Sequence, residues 1–310
     1  MIPLIIIAGP TATGKSERAI HLAKRLNSEI ISADSMQVYC YFDIGTAKPT
    51  INNRKTIPHH LIDIINPDEE YSAGKFKKDA EKIINKIHTK EKIPIVSGGT
   101  GLYINTIARG LSMAAPSDPE LRKNLRESLK KEGSRAMHSE LLKVDPDAAK
   151  KINPADKFRI ERALEVYYLT GKPMSSLQSS EKHKTNQYDV LYIILNLDRS
   201  LLYQRINERV DRMIEKGLVD EVSSIISRGY SGQLKPFQSI GYKEIIQYLS
   251  NELTLEEAVK KIKKETRNFA KRQLTWFKKV PSPEWIKVDF KKPEMTDEAI
   301  YAAVQKHFNF

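Results

Sequence analysis

Pro3-Leu-Ile-Ile-Ile-Ala8 runs directly into Gly9-Pro-Thr-Ala-Thr-Gly14-Lys15-Ser16, and this junction decides the fold. A continuous apolar, β-branched run closed by glycine is what a central parallel strand needs when both of its faces are covered. The stretch from Gly9 to Ser16 fits G-x-x-x-x-G-K-[ST], a loop whose backbone N–H groups and following helix dipole cradle phosphate. That motif demands a helix behind it, and Ala19, Ile20, Leu22, Ala23 and Leu26 recur at helical spacing until Asn27 interrupts them.

Working outward, Glu29-Ile-Ile-Ser-Ala-Asp34 is expected as a second strand with Asp34 at its carboxyl end, and Lys92-Ile-Pro-Ile-Val-Ser97 as another running into Gly98-Gly99-Thr100-Gly101. Phe76, Ala80, Ile83, Ile84 and Ile87 mark an amphipathic helix between them. Alternating strands and helices argue for a parallel α/β sheet, whose ligands sit outside the carboxyl ends of the strands. Asp34 and Gly98 to Gly101 are therefore expected to share a crevice with the Gly9 loop.

From about Ser117 to Tyr188 the strand signal gives way to helical patterns punctuated by Pro116, Pro119, Pro146, Pro154 and Pro173. Within it, Ser175 to Thr185 is polar enough for a mobile loop. The α/β pattern resumes at Asp189–Leu197, followed by helices stopped by Gly217 and Gly229. A last long helix opens with the capping-box pattern Thr254-Leu-Glu-Glu257. It carries Leu255, Ala258, Ile262, Thr266, Phe269, Gln273 and Trp276 on one stripe, expected inward, and Lys260, Lys264, Arg267, Lys271 and Lys278 on the other. There is no internal repeat.

Composition bounds the function. The 310 residues carry a formal net charge of +12, with 40% hydrophobic and 8% aromatic residues, enough apolar content for real cores and too much for global disorder. A single cysteine, Cys40, excludes an internal disulfide and a zinc finger and points to a reducing compartment. Ile2–Ala8 is too short for a signal core and lacks a basic leader, so a cytoplasmic protein with no membrane association is expected. An isoelectric point near 9.4 suggests a polyanionic partner.

Lys15 is expected to place a point charge on a diphosphate, and the Ser16 hydroxyl to ligate Mg2+ bridging its phosphates. A strand that would hold the metal in a motor or switch NTPase is missing; Leu61-Ile-Asp63-Ile is the nearest and is short. Asp34 either accepts a proton from a nucleophile or caps the turn that follows its strand. Arg205, Arg209 and Arg212 sit about one turn apart, and one of them, by preference Arg209, closes over the diphosphate; a solvated face pairing with Glu208 or Asp211 is the competing explanation. His59 and His60 lack the partners and spacing of a metal site.

The chain also resembles the bacterial tRNA dimethylallyltransferases, or isopentenyl-tRNA transferases. The resemblance rests on Gly9–Ser16, Ser32-Ala-Asp-Ser-Met-Gln-Val-Tyr39, Asp43-Ile-Gly-Thr-Ala-Lys-Pro49, His59-His-Leu-Ile-Asp-Ile64 and Ser97-Gly-Gly-Thr-Gly-Leu-Tyr103. It continues through Arg162-Ala-Leu-Glu-Val-Tyr167, Gly171-Lys-Pro173, Ser239-Ile-Gly-Tyr-Lys-Glu244 and Arg272-Gln-Leu-Thr-Trp276. The fold it implies is a P-loop NTPase-like parallel sheet core, residues 1–115 and 189–310, interrupted by a helical insertion, residues 116–188, that recognises tRNA.

The reaction the resemblance implies is transfer of a dimethylallyl group from dimethylallyl diphosphate to the exocyclic amine of the adenosine just 3′ of the anticodon. Catalysis would fall to Asp34, Thr100, Lys15 and Arg209. Gly9, Pro10, Thr11, Ala12, Thr13, Gly14, Lys15 and Ser16 would bind the diphosphate, and the loop needs no ATP. The tRNA anticodon stem-loop would meet Asp34, Ser35, Met36, Gln37, Thr100, Arg122, Lys157, Phe158, Arg159 and Arg162. Phe237, Gln238, Gly241, Tyr242 and Lys243 are candidates for reading unstacked bases, and turn hydrogen bonding is the plainer role for Ser35 and Gln37.

The stretch Val38-Tyr-Cys-Tyr-Phe-Asp43 departs from the family run, where a basic residue and often a glycine follow the tyrosine. A P-loop small-molecule or nucleoside kinase would share the loop and lid arginines without needing the basic insertion. An RNA-binding ATPase would need a stronger metal-holding strand. Nothing in the sequence demands a dimer, so a monomer is expected.

Overall fold

Period-two alternation explains how one short apolar run serves two cores. In the computed structural model, which describes residues 1–109, 118–180 and 187–310, Ile2–Ala8 forms strand β1. Leu4, Ile6 and Ala8 belong to one hydrophobic cluster and Ile5 and Ile7 to the other, all of them fully buried. Each isoleucine buried this way contributes roughly 1.5–3 kcal/mol.

The remaining strands among the described residues are β2 (Ile30–Ser32), β3 (His59–His60), β4 (Ile95–Gly98), β5 (Tyr188–Asn196) and β6 (Glu284–Lys287). They lie in the order β3-β2-β4-β1-β5-β6, and every pairing is parallel. Ala8 faces Gly98 on one side and Ile194 on the other, while Ser32 faces Ser97. This register makes Gly9, Ala33 and Gly99 leave the sheet along one carboxyl edge, the edge where α/β sheets bind ligands. The fold is the expected α/β, P-loop type.

Two compact units make up the chain: Met1–Arg109 with Asn186–Phe310, and Gly110–Thr185. The second is helical, with its own core of Leu125, Leu129, Met137, Leu141, Ile160 and Leu164. Aspartates start three of its helices: Asp118 accepts the Leu121 N–H, Asp145 that of Ala148 and Asp156 that of Arg159. Among the described residues no helix is long and apolar enough to cross a membrane.

Several expectations need correction. The strand before Asp34 ends at Ser32, so Asp34 belongs to the turn beyond it. Ser175–Ser180 continue a helix, Met174–Ser180, where a mobile loop was expected; 181–185 lie outside the described residues, as do Pro116 and Ser117. The Leu255–Phe277 helix is not the last, because β6 and a helix at Pro293–Phe308 follow. Trp276 is 37% exposed, and its neighbour Phe277 takes the inward position.

The Pro293–Phe308 helix braces the helix behind the phosphate loop. Arg18 is buried and donates to the Pro293 carbonyl at 2.9 Å and to Asp297 at 2.7 Å. His59 and His60 have structural partners, the Ile57 carbonyl and Glu29. Asp63 is held by Lys48 and Arg54.

Candidate active site

The phosphate loop is shaped by its own backbone and by two distant residues. Gly9 has φ 154, and a Cβ there would come within 2.6 Å of the Leu195 carbonyl oxygen on β5, so only glycine lets the loop leave the sheet so close to its neighbour. The Thr13 hydroxyl donates to the Pro10 carbonyl at 2.9 Å. Gln273, from the Leu255–Phe277 helix, accepts the Thr11 N–H at 2.9 Å and donates to the Gly99 carbonyl at 2.9 Å, tying the loop after β1 to the loop after β4. On the outer side Arg205 donates to the Ala12 carbonyl at 3.2 Å, its guanidinium 3.3 Å from the Phe290 ring centre.

Lys15 and Ser16 open the Lys15–Arg25 helix and face a cavity of about 360 Å³. Burial pulls the Lys15 pKa down to about 8; the nearby Arg209 guanidinium adds to the fall and Asp34 opposes it. Burial also lowers the Arg209 pKa, while Asp34 favours its charge. Two cations facing one cavity with a single carboxylate leave it electropositive, as an anion site requires.

Asp34 uses one oxygen for its turn: Oδ1 accepts the Met36 N–H at 2.9 Å and the Gln37 N–H at 3.4 Å. The Ser35 N–H donates to the Thr100 hydroxyl at 3.0 Å. Gln37 is buried; it accepts the Ser32 hydroxyl at 2.9 Å and donates to the Thr46 and Ala47 carbonyls at 3.3 and 3.4 Å. The cavity is closed by an apolar wall of Val210, Met213, Ile240, Ile262 and Phe269, with Thr266 among them.

The structure therefore brings Thr11, Lys15, Ser16, Asp34, Ser35, Met36, Gln37, Thr100, Arg209, Gln238, Gly241 and Tyr242 around one cavity. Gly9, Pro10, Ala12, Thr13 and Gly14 form the frame of the loop and do not line it. Arg212 is exposed and outside the lining, and the competing partners of this helix are engaged elsewhere: Glu208 accepts from Gln204 and Asp211 pairs with Lys263. Lys243 is exposed and does not line the cavity, and Phe237 is fully buried against Phe42, which removes both from a base-reading position there. Tyr242 is buried with its hydroxyl on Glu221.

In the helical unit, Glu165 is fully buried and takes Arg122 at 2.8 Å, Arg162 at 2.5 Å and the Asp118 N–H at 3.0 Å. Burial raises the Glu165 pKa, but the two guanidiniums outweigh it and hold the carboxyl below its ordinary value. Arg159 is exposed beside Asp156 at 3.4 Å, and Phe158 is 82% exposed.

Sequence reasoning missed the cavity roles of Met213, Ile240, Ile262, Thr266, Phe269 and Gln273. A signal for four of them existed, since the helical stripe placed Ile262, Thr266, Phe269 and Gln273 together; periodicity alone does not distinguish a core face from a cavity wall. Where the family run departs, Tyr41 takes φ 72 with the Arg228 guanidinium 4.7 Å from its ring centre. Left-handed backbone at a bulky residue costs about 1 kcal/mol or more.

Comparison with known proteins gives one answer. A family model described as IPP transferase matches residues 37–280. A tRNA dimethylallyltransferase of Carboxydothermus hydrogenoformans is 52% identical over 283 residues, covering 91% of each chain. One from Caldanaerobacter subterraneus subsp. tengcongensis is 50% identical over 307 residues, 97% of this chain and 96% of its own. Among solved structures, a full-length tRNA isopentenylpyrophosphate transferase from Bacillus halodurans matches with a TM-score of 0.72 at 40% identity, covering 100% of this chain and 99% of that one. A eukaryotic dimethylallyltransferase acting on tRNA matches with a TM-score of 0.83 at 32% identity, over 97% of this chain and 78% of that one.

Proposed function

The chain belongs to the IPP transferase family, and from that membership we infer that it is a prenyltransferase acting on tRNA, a tRNA dimethylallyltransferase whose chemistry takes place in the cavity described above. The observation that carries this reading is the meeting of three surfaces in one cavity: the cationic loop of Lys15 and Arg209, the carboxylate of Asp34 and the apolar wall around Met213 and Phe269.

We propose that the diphosphate of dimethylallyl diphosphate lies on the N–H groups at the start of the Lys15–Arg25 helix, beside Lys15, Ser16 and Arg209. Val210, Met213, Ile262 and Phe269 enclose the dimethylallyl group and exclude water from its reactive carbon. The exocyclic amine of the adenosine 3′ of the anticodon attacks that allylic carbon as the C–O bond to the diphosphate breaks. The departing diphosphate keeps the electron pair, and Lys15 and Arg209 stabilise the charge it gains. Asp34 orients the amine and takes its proton, using the carboxylate whose Oδ1 already holds the turn. Thr100 supports this through Ser35.

Among the described residues there is no cluster of three or more metal-ligating His, Cys, Asp or Glu side chains. The lone Ser16 hydroxyl at a helix start suits Mg2+, which takes most of its oxygens from phosphate and water. When bound, the ion supplies further positive charge to the diphosphate oxygens.

Arg122, Phe158, Arg159 and Arg162 of the helical unit are proposed to contact the tRNA, the arginines giving affinity and register through phosphates. A cytoplasmic monomer is proposed. The test is mass analysis of anticodon-loop nucleosides after incubating the protein with Mg2+, dimethylallyl diphosphate and unmodified tRNA, with no ATP. A dimethylallyl-sized gain on the adenosine beside the anticodon is expected; phosphorylation of a nucleoside in its place, on adding ATP, would refute the reading.

A further inference from the structure

The Leu218–Ser227 helix carries a carboxylate, Glu221, two of whose four partners, Gly45 and Tyr242, line the cavity. Glu221 accepts three successive backbone N–H groups, Asp43 at 3.0 Å and Ile44 at 2.6 Å on Oε2 and Gly45 at 3.2 Å on Oε1; Oε1 also takes the Tyr242 hydroxyl at 2.6 Å. A carboxylate offers about four lone-pair positions and no donor, so these four donors match its capacity. Residue 45 must be glycine in this cradle, because a Cβ would stand 2.4 Å from the Tyr242 ring.

The residues that follow line the cavity. The Thr46 and Ala47 carbonyls accept the Gln37 side-chain amide, and the Gln37 N–H reaches Asp34 Oδ1 at 3.4 Å. Hydrogen bonds and a few covalent steps thus link Glu221 to the Asp34 turn without touching the phosphate loop.

We propose that Glu221 is a positioning residue for the acceptor half of the reaction. It holds the segment from Asp43 to Ala47, and through Gln37 the Asp34 turn, so that the adenosine amine meets Asp34 at the correct place while the diphosphate site is unaffected. This rests on the prenyl-transfer reading above.

Glu221→Gln keeps the shape but turns one acceptor oxygen into a donor facing N–H or O–H groups. With unmodified tRNA as the varied substrate, kcat/KM falls about tenfold or more, beyond any loss of folded protein read from inorganic diphosphate binding stoichiometry, while KM for dimethylallyl diphosphate stays within about twofold. Tyr242→Phe removes one donor with less risk to folding and lowers kcat/KM for tRNA by about threefold, again with the diphosphate KM unchanged.

A merely structural role would lower kcat for both substrates in proportion to the unfolded fraction and leave both KM values alone; that result overturns the proposal. So does a parallel rise in the diphosphate KM, or wild-type kinetics in both variants. If wild type itself gives no prenylated tRNA, the prenyl-transfer reading falls and takes this one with it; wild-type turnover with indifferent variants removes this one alone.

Discussion

Gln273 holds Thr11 by its backbone across 262 residues of sequence, accepting the Thr11 N–H at 2.9 Å while its own amide donates to Gly99 at 2.9 Å. One side chain thereby sets the spacing between the loops that follow β1 and β4. Gln273→Leu leaves a buried donor and a buried acceptor without partners, each costing about 1–3 kcal/mol. A fall in Tm and a raised KM for dimethylallyl diphosphate are expected, measured by thermal unfolding and steady-state kinetics.

Asp34 has a turn role and a proposed chemical one, and the two separate by substitution. Asn keeps an Oδ1 for the Met36 and Gln37 N–H groups but takes no proton. Asp34→Asn should therefore lower kcat by about 10²–10⁴-fold with little change in Tm, whereas Asp34→Ala lowers both. Near-normal turnover by the Asn variant would reduce Asp34 to a turn cap.

The Lys15 pKa of about 8, below the ordinary 10.5, has a definite sign. Between these values the folded chain has lost a proton that the unfolded chain keeps, so the penalty for burying the ammonium is present below pH 8 and is relieved as pH rises from about 8 to 10.5. Ligand binding runs the other way, since a diphosphate favours the charged lysine. Affinity for inorganic diphosphate should weaken as pH rises through about 8, with proton uptake detectable by titration calorimetry in buffers of different ionisation heat. Lys15→Met should remove that pH dependence.

Three arginines of one helix are expected to behave differently. Arg209→Met loses a cation facing the cavity and should lower kcat by about 10²–10³-fold. Arg205→Ala loses the Ala12 carbonyl and Phe290 contacts and should show first in Tm. Arg212→Ala, on the exposed side, should leave diphosphate binding within about twofold. Equal losses across the series would contradict this division of roles.

Glu165 anchors Arg122 and Arg162 inside the helical unit. Its lowered pKa means that the stability it contributes is present above the unfolded carboxyl pKa and is lost as pH falls through the folded one. Glu165→Gln leaves the arginines with a neutral partner and should lower Tm by several degrees. The loss of stability expected of wild type as pH falls below about 4.3 should be smaller in the variant.

Legibility differed from element to element. The strand, loop and helix from Ile2 to Arg25 were readable because each choice there is local: β-branched residues for a covered strand, glycines for a close turn, helical spacing behind it. The position of Asp34 at the carboxyl edge was readable from the same logic, although its strand is shorter than its apolar run. The three arginines were readable as a set but not individually, since one turn of helix separates a side chain on the Ala12 carbonyl from one facing the cavity and another in solvent. Phe237 read as a base contact, yet tertiary packing draws it against Phe42 and out of the cavity lining.

By itself the sequence determined that this is a parallel α/β protein with a phosphate loop, because strand period, glycine placement and helix spacing depend on neighbours a few residues away. Its motifs also carried the family, the order of the site segments and the helical insertion. Only the tertiary structure decided that Gln273 couples the loops, that the stripe from Ile262 to Phe269 is a cavity wall and that Glu221 grips the Asp43 to Gly45 backbone. Those are contacts between segments far apart in the chain, and their partners are mostly backbone groups, which every residue possesses and no sequence pattern marks.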